Sequence, residues 1–346
     1  MKNKLDFSEN RNIFMPTHNM KKCLLKILKK VFEYPDYTNK RVNESISYYF
    51  DVPYDNLTIT NGSMEAINLL LKVLNKNNAT IFKPTFWGYE DALIRNNYKI
   101  NLYNLSENLK YDLETISKKA KETEILFICN PNNPTLDYID KKNLIDIIDN
   151  NPNCHFIIDE TMLIFDSDFF DKSLCKNVSK MQNLSVIISF SKFLGIAGLR
   201  TGAVFSNRNV IKDIKKTMVP YSFGIIQQEI IPNAFSNKKY LEQTKVLIKK
   251  NKDSLCKSLR KIGCFVIDSN TNFILVKLPF GTDSNKITNF LSNDNIIIRN
   301  IKEAYPELDG DWIRISINSK KNNDILVKKI NIFFQKNGIS INAKNK

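Results

Sequence analysis

The segment that decides the fold reads Ser189-Phe-Ser-Lys192-Phe-Leu-Gly-Ile-Ala-Gly-Leu-Arg200-Thr-Gly202. It follows an apolar run that is typical of a buried strand. Lys192 therefore lies just beyond the carboxyl end of a strand, where open α/β sheets bind their ligands. The hydroxyls of Ser189 and Ser191 and the guanidinium of Arg200 could hold a phosphate group beside this lysine. An exposed lysine on a turn is the alternative interpretation.

Two further motifs place polar side chains at the ends of other predicted strands. Ile157-Ile158-Asp159-Glu160 ends one apolar run with a carboxylate, and Asn130-Pro-Asn-Asn133-Pro-Thr135 follows another. Taken singly, Asp159 could be a cap and the asparagines an ordinary turn. Together with Lys192 they form an ordered set of an amide, a carboxylate and an amine, each at the end of a strand.

The pattern along the middle of the chain alternates short apolar runs with amphipathic helical patterns. This alternation predicts a doubly wound α/β domain with a large, mostly parallel sheet. The predicted strands are Thr80–Phe82, Ile100–Tyr103, Ile125–Cys129, His155–Ile158, Val186–Ser189 and Thr201–Phe205. The predicted helices are Ser63–Asn75, Trp87–Asn96, Leu113–Lys121 and Lys141–Asn150.

A smaller α+β unit is expected after residue 239. A long lysine-rich helix is predicted at Tyr240–Leu259. Strands follow near Phe265–Ile267, Phe273–Leu278, Ile296–Ile298 and Ile313–Ile317, with helices near Ser284–Leu291 and Asn323–Gln335. We therefore expect a large domain at residues 41–239, and a small domain at 240–346 joined by residues 1–40. Residues 1–40 are irregular except for a basic helix near Lys21–Phe32.

The composition excludes several classes of protein. The chain has 346 residues and a formal net charge of +15, but the lysines are dispersed and form no basic arm, so no nucleic-acid partner is expected. The first residues lack the apolar core of a signal peptide, and no apolar run reaches the length of a membrane span. We therefore expect a cytoplasmic protein with no membrane partner. Its six cysteines are expected to be reduced thiols.

Histidine usage argues against two common kinds of site. There are only two histidines, His18 and His155, so a histidine-rich metal centre is not expected. A Ser-His-Asp hydrolase is also disfavoured, because His155 lies in an apolar run that is typical of a core residue.

With these three motifs, the chain resembles class I/II aminotransferases of the pyridoxal phosphate (PLP) fold type I. The resemblance covers nearly the whole chain, and the three motifs match in order. It implies PLP as the cofactor, carried by Lys192. It also implies that Asp159 pairs with the pyridine nitrogen and that Asn133 donates to the phenolic oxygen. For the cofactor phosphate it implies Ser189, Ser191 and Arg200.

The resemblance implies further contacts around the cofactor. The segment Asn61-Gly-Ser63-Met64-Glu65 resembles the glycine turn that begins a helix in this family. The backbone N–H groups of Ser63 and Met64, at the helix N-terminus, would then bind the same phosphate. Phe86 aligns with the aromatic residue that stacks on the ring, and Trp87 takes that place if the register shifts by one. Tyr34 resembles a tyrosine that reaches the phosphate of the neighbouring subunit. This last feature implies a homodimer with shared active sites.

Two branches of the family compete, the histidinol-phosphate aminotransferases and the threonine-phosphate decarboxylases. Leu5-Asp-Phe-Ser-Glu-Asn10 resembles a decarboxylase motif, which makes Asn10 a substrate-binding residue. Arg299 and Arg314 flank a Pro-Glu-Leu-Asp turn and resemble the arginines that bind substrate anions. Met162 stands where the aminotransferases usually carry a tyrosine. The alternative for both arginines is surface ion pairing.

We therefore expect a PLP-dependent decarboxylase of O-phosphothreonine or O-phosphoserine. The alternative is an aminotransferase acting on a small phosphorylated amine such as histidinol phosphate. The bond that stands perpendicular to the ring is the one that breaks, and a sequence does not determine that orientation. One departure from the family pattern is Leu136, which replaces the glycine that usually ends the asparagine-rich turn.

Overall fold

The computed structural model describes residues 4–14, 17–306 and 308–339. The strands within these ranges are β1 (Leu5–Asp6), β2 (Leu57–Thr60), β3 (Asn78–Lys83), β4 (Lys99–Asn104), β5 (Ile125–Cys129), β6 (His155–Asp159), β7 (Leu184–Ser189), β8 (Gly202–Ser206), β9 (Phe265–Ile267), β10 (Phe273–Lys277), β11 (Ile296–Ile297), β12 (Arg299–Asn300) and β13 (Trp312–Ser316). The helices are α1 (Thr17–Ile27), α2 (Lys40–Phe50), α3 (Ser63–Leu74), α4 (Gly88–Arg95), α5 (Leu113–Ala120), α6 (Lys141–Asp149), α7 (Phe169–Lys172), α8 (Phe190–Phe193), α9 (Arg208–Thr217), α10 (Ile225–Ser236), α11 (Lys238–Lys261), α12 (Ser284–Ser292), α13 (Ile301–Ala304) and α14 (Lys320–Lys336).

The largest sheet has seven strands in the order β2-β8-β7-β6-β5-β3-β4. Only β8 runs opposite to the others, because its pairings with β2 and β7 are antiparallel while the remaining pairings are parallel. Parallel neighbours need crossover connections, and the intervening helices supply them. The predicted fold class, a large mostly parallel sheet with helices, is confirmed.

Helices cover both faces of this sheet. Alternate residues of β5 belong to two hydrophobic clusters, with Leu126 and Ile128 in one and Ile125 and Phe127 in the other. Because side chains alternate across a strand, the two clusters lie on opposite faces. Every residue of β5, β6, β7 and β8 is buried, whereas β4 at the edge is partly exposed. Burial on both faces explains why the central strands read as continuous apolar runs.

The register brings the ends of several strands to one edge of the sheet. Cys129, the last residue of β5, pairs with Asp159, the last residue of β6. Ser189, at the end of β7, pairs with Gly202, at the start of the antiparallel β8, and Gly202 also pairs with Thr60 at the end of β2. The loops that carry the three polar motifs therefore leave the sheet at the same edge.

The second sheet is antiparallel, with the order β12-β13-β10-β9. The N-terminal strand β1 pairs in parallel with β11, which joins Leu5 to Ile296 and Asp6 to Ile297. This pairing is consistent with residues 1–40 packing on the smaller unit, although the proposed boundary at residues 239 and 240 lies inside the continuous helix α11. The domain division stays a prediction.

Most predicted elements lie within a few residues of the observed ones, but β2, α2, α9, α10 and several elements of two to four residues were not predicted. The strand β2 is only four residues long, too short to show a clear period. The helix α10 contains Pro232, a residue that usually marks a helix end. The N-terminal helix α1 begins at Thr17, earlier than the predicted Lys21. It ends at Ile27, and a 3₁₀ turn follows at Leu28–Lys30.

The turn that contains Leu136 keeps a conformation suited to glycine. Leu136 has φ of +66°, in the left-handed region, and its N–H donates to the carbonyl of Asn132 at 2.8 Å. The leucine side chain is 4% exposed. Apolar burial therefore offsets the strain of a left-handed non-glycine residue, which is about 1–3 kcal/mol.

Other predictions concern the cysteines, His155 and membrane spans. All six cysteines are free thiols. His155 is buried, and its Nε2 lies 2.8 Å from the hydroxyl of Ser185, as expected of a core histidine. Within the described ranges, no helix combines the length and apolarity that crossing a bilayer requires.

Candidate active site

Lys192 lies in the short helix α8, directly after β7. Its carbonyl accepts the N–H of Asn12 at 3.1 Å, and the amide of Asn12 donates to the carbonyl of Phe193 at 2.7 Å. Burial and the positive charges of Arg314 and Arg200 lower the pKa of Lys192, although Glu9 acts in the opposite direction. A lowered pKa increases the fraction of neutral amine, the form that acts as a nucleophile or a base.

Asp159, the last residue of β6, presents a buried carboxylate to the same edge of the sheet. Its Oδ2 accepts from the Tyr89 hydroxyl at 2.8 Å, and its Oδ1 accepts from the Thr161 N–H at 2.9 Å. No described lysine, arginine or histidine is within ion-pair distance of it. Burial raises the pKa of Asp159. Such a carboxylate fits a ligand that brings its own positive charge, such as a protonated ring nitrogen.

Asn133 and Arg314, predicted separately from distant motifs, are in contact. The Arg314 guanidinium donates through Nη1 to Asn133 Oδ1 at 2.7 Å and through Nη2 to the Ser8 carbonyl at 2.7 Å. The amide N–H groups of Asn133 have no partner among the described residues and remain able to donate to a ligand. Burial lowers the pKa of Arg314 to about 10, so the group is still cationic at neutral pH.

A cradle for an anion forms where α3 begins. Gly62 precedes the helix with φ of +82°, and a Cβ there would lie 2.9 Å from Nη2 of Arg200. A Cβ on Gly202 would lie 3.0 Å from the Gly62 backbone and 3.1 Å from Ser63 N. The first N–H groups of a helix have no partner within it. The structure thus brings Ser63, Met64 and Arg200 together as a site suited to phosphate.

The two serines predicted for this phosphate differ in their surroundings. The Ser191 hydroxyl donates to the Thr201 carbonyl at 3.2 Å and accepts the Thr201 N–H at 3.0 Å. The Ser189 N–H donates to Thr161 Oγ1 at 2.9 Å, and its hydroxyl has no partner among the described residues. Ser189 is therefore the hydroxyl available to a ligand, while Ser191 holds its own loop.

The geometry favours Phe86 over Trp87 as the aromatic residue that would stack on a cofactor ring. Its half-buried ring packs edge-on against Tyr89, with centroids 5.4 Å apart. A Cβ on Gly88 would lie 2.4 Å from this ring, so only glycine leaves room for it there. Trp87 is 58% exposed. Phe86 therefore lies next to the side chain that contacts Asp159.

The proposed substrate residues lie on the smaller sheet and the N-terminal segment. Arg299 on β12 stands directly opposite Arg314 on β13 and is exposed. Like charges in such a cross-strand pair are destabilising unless an anion joins them. Asn10 is buried, and its Oδ1 accepts from the Ser316 hydroxyl at 3.1 Å.

Tyr34 is 88% exposed, and the contact that the structure gives its ring is Tyr221, at a centroid distance of 5.5 Å. Tyr37 also packs on Tyr221, at 5.8 Å. The neighbouring Ser222 carbonyl accepts from Asn61 Nδ2 at 3.2 Å, which places this aromatic group beside the α3 cradle. An exposed aromatic group in this position is suited to contact with another chain.

Tyr89, Asn12 and Thr161 contact the predicted site residues but were missed by the sequence reasoning. Tyr89 could have been noticed, because it follows Phe86 by three residues, about one turn at the start of α4. Asn12 gives no such signal, since its partner lies 181 residues away.

Comparison with known proteins identifies one family and several similar proteins. A family model described as aminotransferase class I and II matches residues 2–330. A histidinol-phosphate aminotransferase from Hydrogenobaculum sp. (strain Y04AAS1) is 32% identical over 94% of this chain and 92% of its own. The crystal structure of the histidinol-phosphate aminotransferase from Clostridium acetobutylicum has a TM-score of 0.88 at 25% identity, covering 96% of this chain and 99% of its own. L-threonine-O-3-phosphate decarboxylase from Porphyromonas gingivalis shares the fold, with a TM-score of 0.83 at 20% identity and the same two coverages.

Proposed function

Because this chain belongs to the class I and II aminotransferase family, we propose that it transfers an amino group from a small phosphorylated amine to a keto acid. The cofactor is pyridoxal 5′-phosphate, which when bound supplies the electron sink for the reaction. Histidinol phosphate is the substrate that the curated relative supports best, since that relative is a histidinol-phosphate aminotransferase. The terminal motifs favour the decarboxylase branch, whereas the similar proteins support the aminotransferase branch better.

The observation that carries the proposal is the set of groups at one edge of the large sheet. Lys192, Asp159 and Asn133 lie at the ends of three strands, and the α3 cradle with Arg200 lies beside them. These groups fit PLP, because the cradle has no room for a Cβ and the buried carboxylate has no cation of its own among the described residues. We assign Lys192 to carry the cofactor, Asp159 to its ring nitrogen and Asn133 to its phenolic oxygen.

The remaining groups of the chain bind and orient the substrate. The paired guanidinium groups of Arg299 and Arg314 would hold anionic groups, since both present fork-shaped donors. When it does not carry the cofactor, the Lys192 amine would have a lowered pKa. It is then suited to take the proton from the substrate Cα and to return it nearby.

Decarboxylation of an O-phospho amino acid is the second candidate, and Met162 is the observation that favours it. This side chain is 5% exposed and lies next to Thr161, whose N–H holds Asp159. A thioether cannot donate the hydrogen bond that a tyrosine would supply. O-Phosphothreonine and O-phosphoserine also carry two anionic groups, which would match two arginines.

The test is to supply the PLP-loaded protein with each class of substrate. Histidinol phosphate plus 2-oxoglutarate should give sustained glutamate formation, and Lys192→Ala should abolish it. O-Phosphothreonine and O-phosphoserine without a keto acid should give no continuous release of carbon dioxide. Sustained carbon dioxide release with no glutamate formation would replace the proposal with the decarboxylase.

We also propose a homodimer with shared sites, in which Tyr34 contacts the cofactor phosphate of the other subunit. The exposed group of Tyr34, Tyr37 and Tyr221 beside the α3 cradle supports this arrangement.

A further inference from the structure

Tyr89 is a fully buried phenol whose hydroxyl is directed at the carboxylate of Asp159. Its side chain is 1% exposed, and the hydroxyl donates to Asp159 Oδ2 at 2.8 Å. The other oxygen of Asp159 accepts the N–H of Thr161 at 2.9 Å, and the Thr161 hydroxyl also lowers the pKa of this carboxyl. Neutral donors from Tyr89 and Thr161, rather than a cation, therefore stabilise the negative charge of Asp159.

Aromatic packing fixes the direction of this hydroxyl. The Tyr89 ring stacks on Phe127, with centroids 5.1 Å apart and 22° between the planes. It meets Phe86 nearly edge-on, at 5.4 Å and 81°. A ring held between two neighbours cannot swing away, so the donor stays on Asp159. The same contact links the carboxylate to Phe86, the residue that we expect to stack on the cofactor.

The phenol of Tyr89 and the neighbouring thiol of Cys129 both keep their protons. Burial, followed by the nearby Asp159 charge, raises the pKa of Tyr89 well above its ordinary value, so the phenol keeps its proton. Burial raises the pKa of the adjacent Cys129 thiol to about 12, so it is also neutral. Asp159 is therefore the acidic member of this trio, and burial raises its pKa while the hydrogen bonds from Tyr89 and Thr161 lower it.

We propose that Tyr89 is a positioning residue, which keeps Asp159 ionised and aimed at the ring nitrogen of the cofactor. The inference rests on the proposed placement of Asp159 against that nitrogen. A carboxylate and a ring nitrogen compete for one proton, and a hydrogen bond donated to the carboxylate makes it the weaker base. Tyr89 therefore leaves the proton on the nitrogen, where it increases the electron-withdrawing power of the ring.

The first test compares Tyr89→Phe with Tyr98→Phe, both of which keep the ring and remove a buried hydroxyl. Tyr98 is a matched control, because its hydroxyl donates to the Leu71 carbonyl at 2.7 Å and does not touch the site. Two quantities are measured: the dissociation constant of the apoprotein for PLP, and the ¹⁵N chemical shift of ring-labelled PLP. We expect Tyr89→Phe to weaken binding about tenfold to a hundredfold. The ¹⁵N signal should also move toward the unprotonated ring, and Tyr98→Phe should change neither quantity.

A double-mutant cycle with Asp159→Asn shows whether Tyr89 acts through the carboxylate. In the Asp159→Asn background, Tyr89→Phe should add little to the loss of affinity, because the charge that it supports has gone. Fully additive losses would overturn the inference, as would an unchanged ¹⁵N signal in Tyr89→Phe when Asp159→Asn moves it. If Asp159→Asn alone changes neither affinity nor signal, the proposed placement of Asp159 is wrong.

Discussion

Individual buried ionisable side chains show how local surroundings set charge in this protein. Asp159 and Glu160 are consecutive, yet their carboxylates accept hydrogen bonds from different parts of the chain. Glu160 is fully buried and accepts hydrogen bonds from the Ser173 hydroxyl and, at 2.7 Å, from the N–H of Leu174. No described cation pairs with it, and burial raises its pKa from about 4.5 to about 7. Glu160 therefore anchors the loop after α7 from beneath the active-site edge.

This raised pKa makes a prediction about stability and pH. Between pH 4.5 and 7 the folded protein keeps a proton on Glu160 that the unfolded chain releases, so this contribution to stability is lost as pH rises through that window. Glu160→Gln lacks the ionisation. The difference between wild type and Glu160→Gln in the free energy of unfolding should therefore change by about 3 kcal/mol between pH 4.5 and 8.

Urea unfolding of both proteins with excess PLP, at several pH values, measures this difference. Comparison with the variant removes the contributions of other titrating groups. Parallel stability curves across the whole range would show that Glu160 ionises normally in the folded protein.

At the level of the elements, the site depends on how closely the start of α3 approaches the start of β8. Gly62 and Gly202 face each other there, and Arg200 fills the remaining space. The close approach directs the first N–H groups of α3 and the guanidinium toward one point. A side chain at either glycine would separate the two elements.

We predict that Gly202→Ala weakens PLP binding about tenfold or more, because a methyl group 3.0 Å from backbone atoms forces α3 and β8 apart. Gly198→Ala is the matched control, since a Cβ there has no neighbour within 4 Å. Titration of each apoprotein with PLP, followed by absorbance, gives the dissociation constants. Equal affinities in the two variants would mean that the cradle does not hold the cofactor phosphate.

For the whole molecule, one cluster of exposed aromatic side chains lies close to the functional edge. Tyr34, Tyr37 and Tyr221 form one cluster, and Asn61 connects its loop to the cradle. The proposed homodimer would cover this cluster. If Tyr34 serves the other subunit, each site requires residues from two chains.

Subunit complementation tests this sharing. We predict that Lys192→Ala and Tyr34→Glu each give inactive homodimers, the second because a carboxylate would repel the phosphate. Chains reassembled from the unfolded state should give mixed dimers with about half of wild-type activity, since each mixed dimer has one intact site of two. Activity is measured after tandem purification of the mixed dimers on two different tags. Inactive mixed dimers would show that Tyr34 does not act across the interface.

The sequence by itself determined the principal elements and the chemistry at their ends. The central strands were recognisable because burial on both faces demands continuous apolar runs, and β5 has the predicted bounds. Asn133, Asp159 and Lys192 were predictable because each lies at the end of such a run or in the loop that follows it. The short β2 and the proline-containing α10 were not, since neither shows a clear period or an uninterrupted helical pattern.

Only the tertiary structure decided which distant side chains meet. Arg314 reaches Asn133 across 181 residues, and Tyr89 reaches Asp159 across 70. Asn12 secures the backbone of Lys192 although nothing in its own segment predicts it. These contacts depend on strand register and on the packing of separate sheets. Local sequence patterns report the conformation of one segment at a time and carry no information about its distant neighbours.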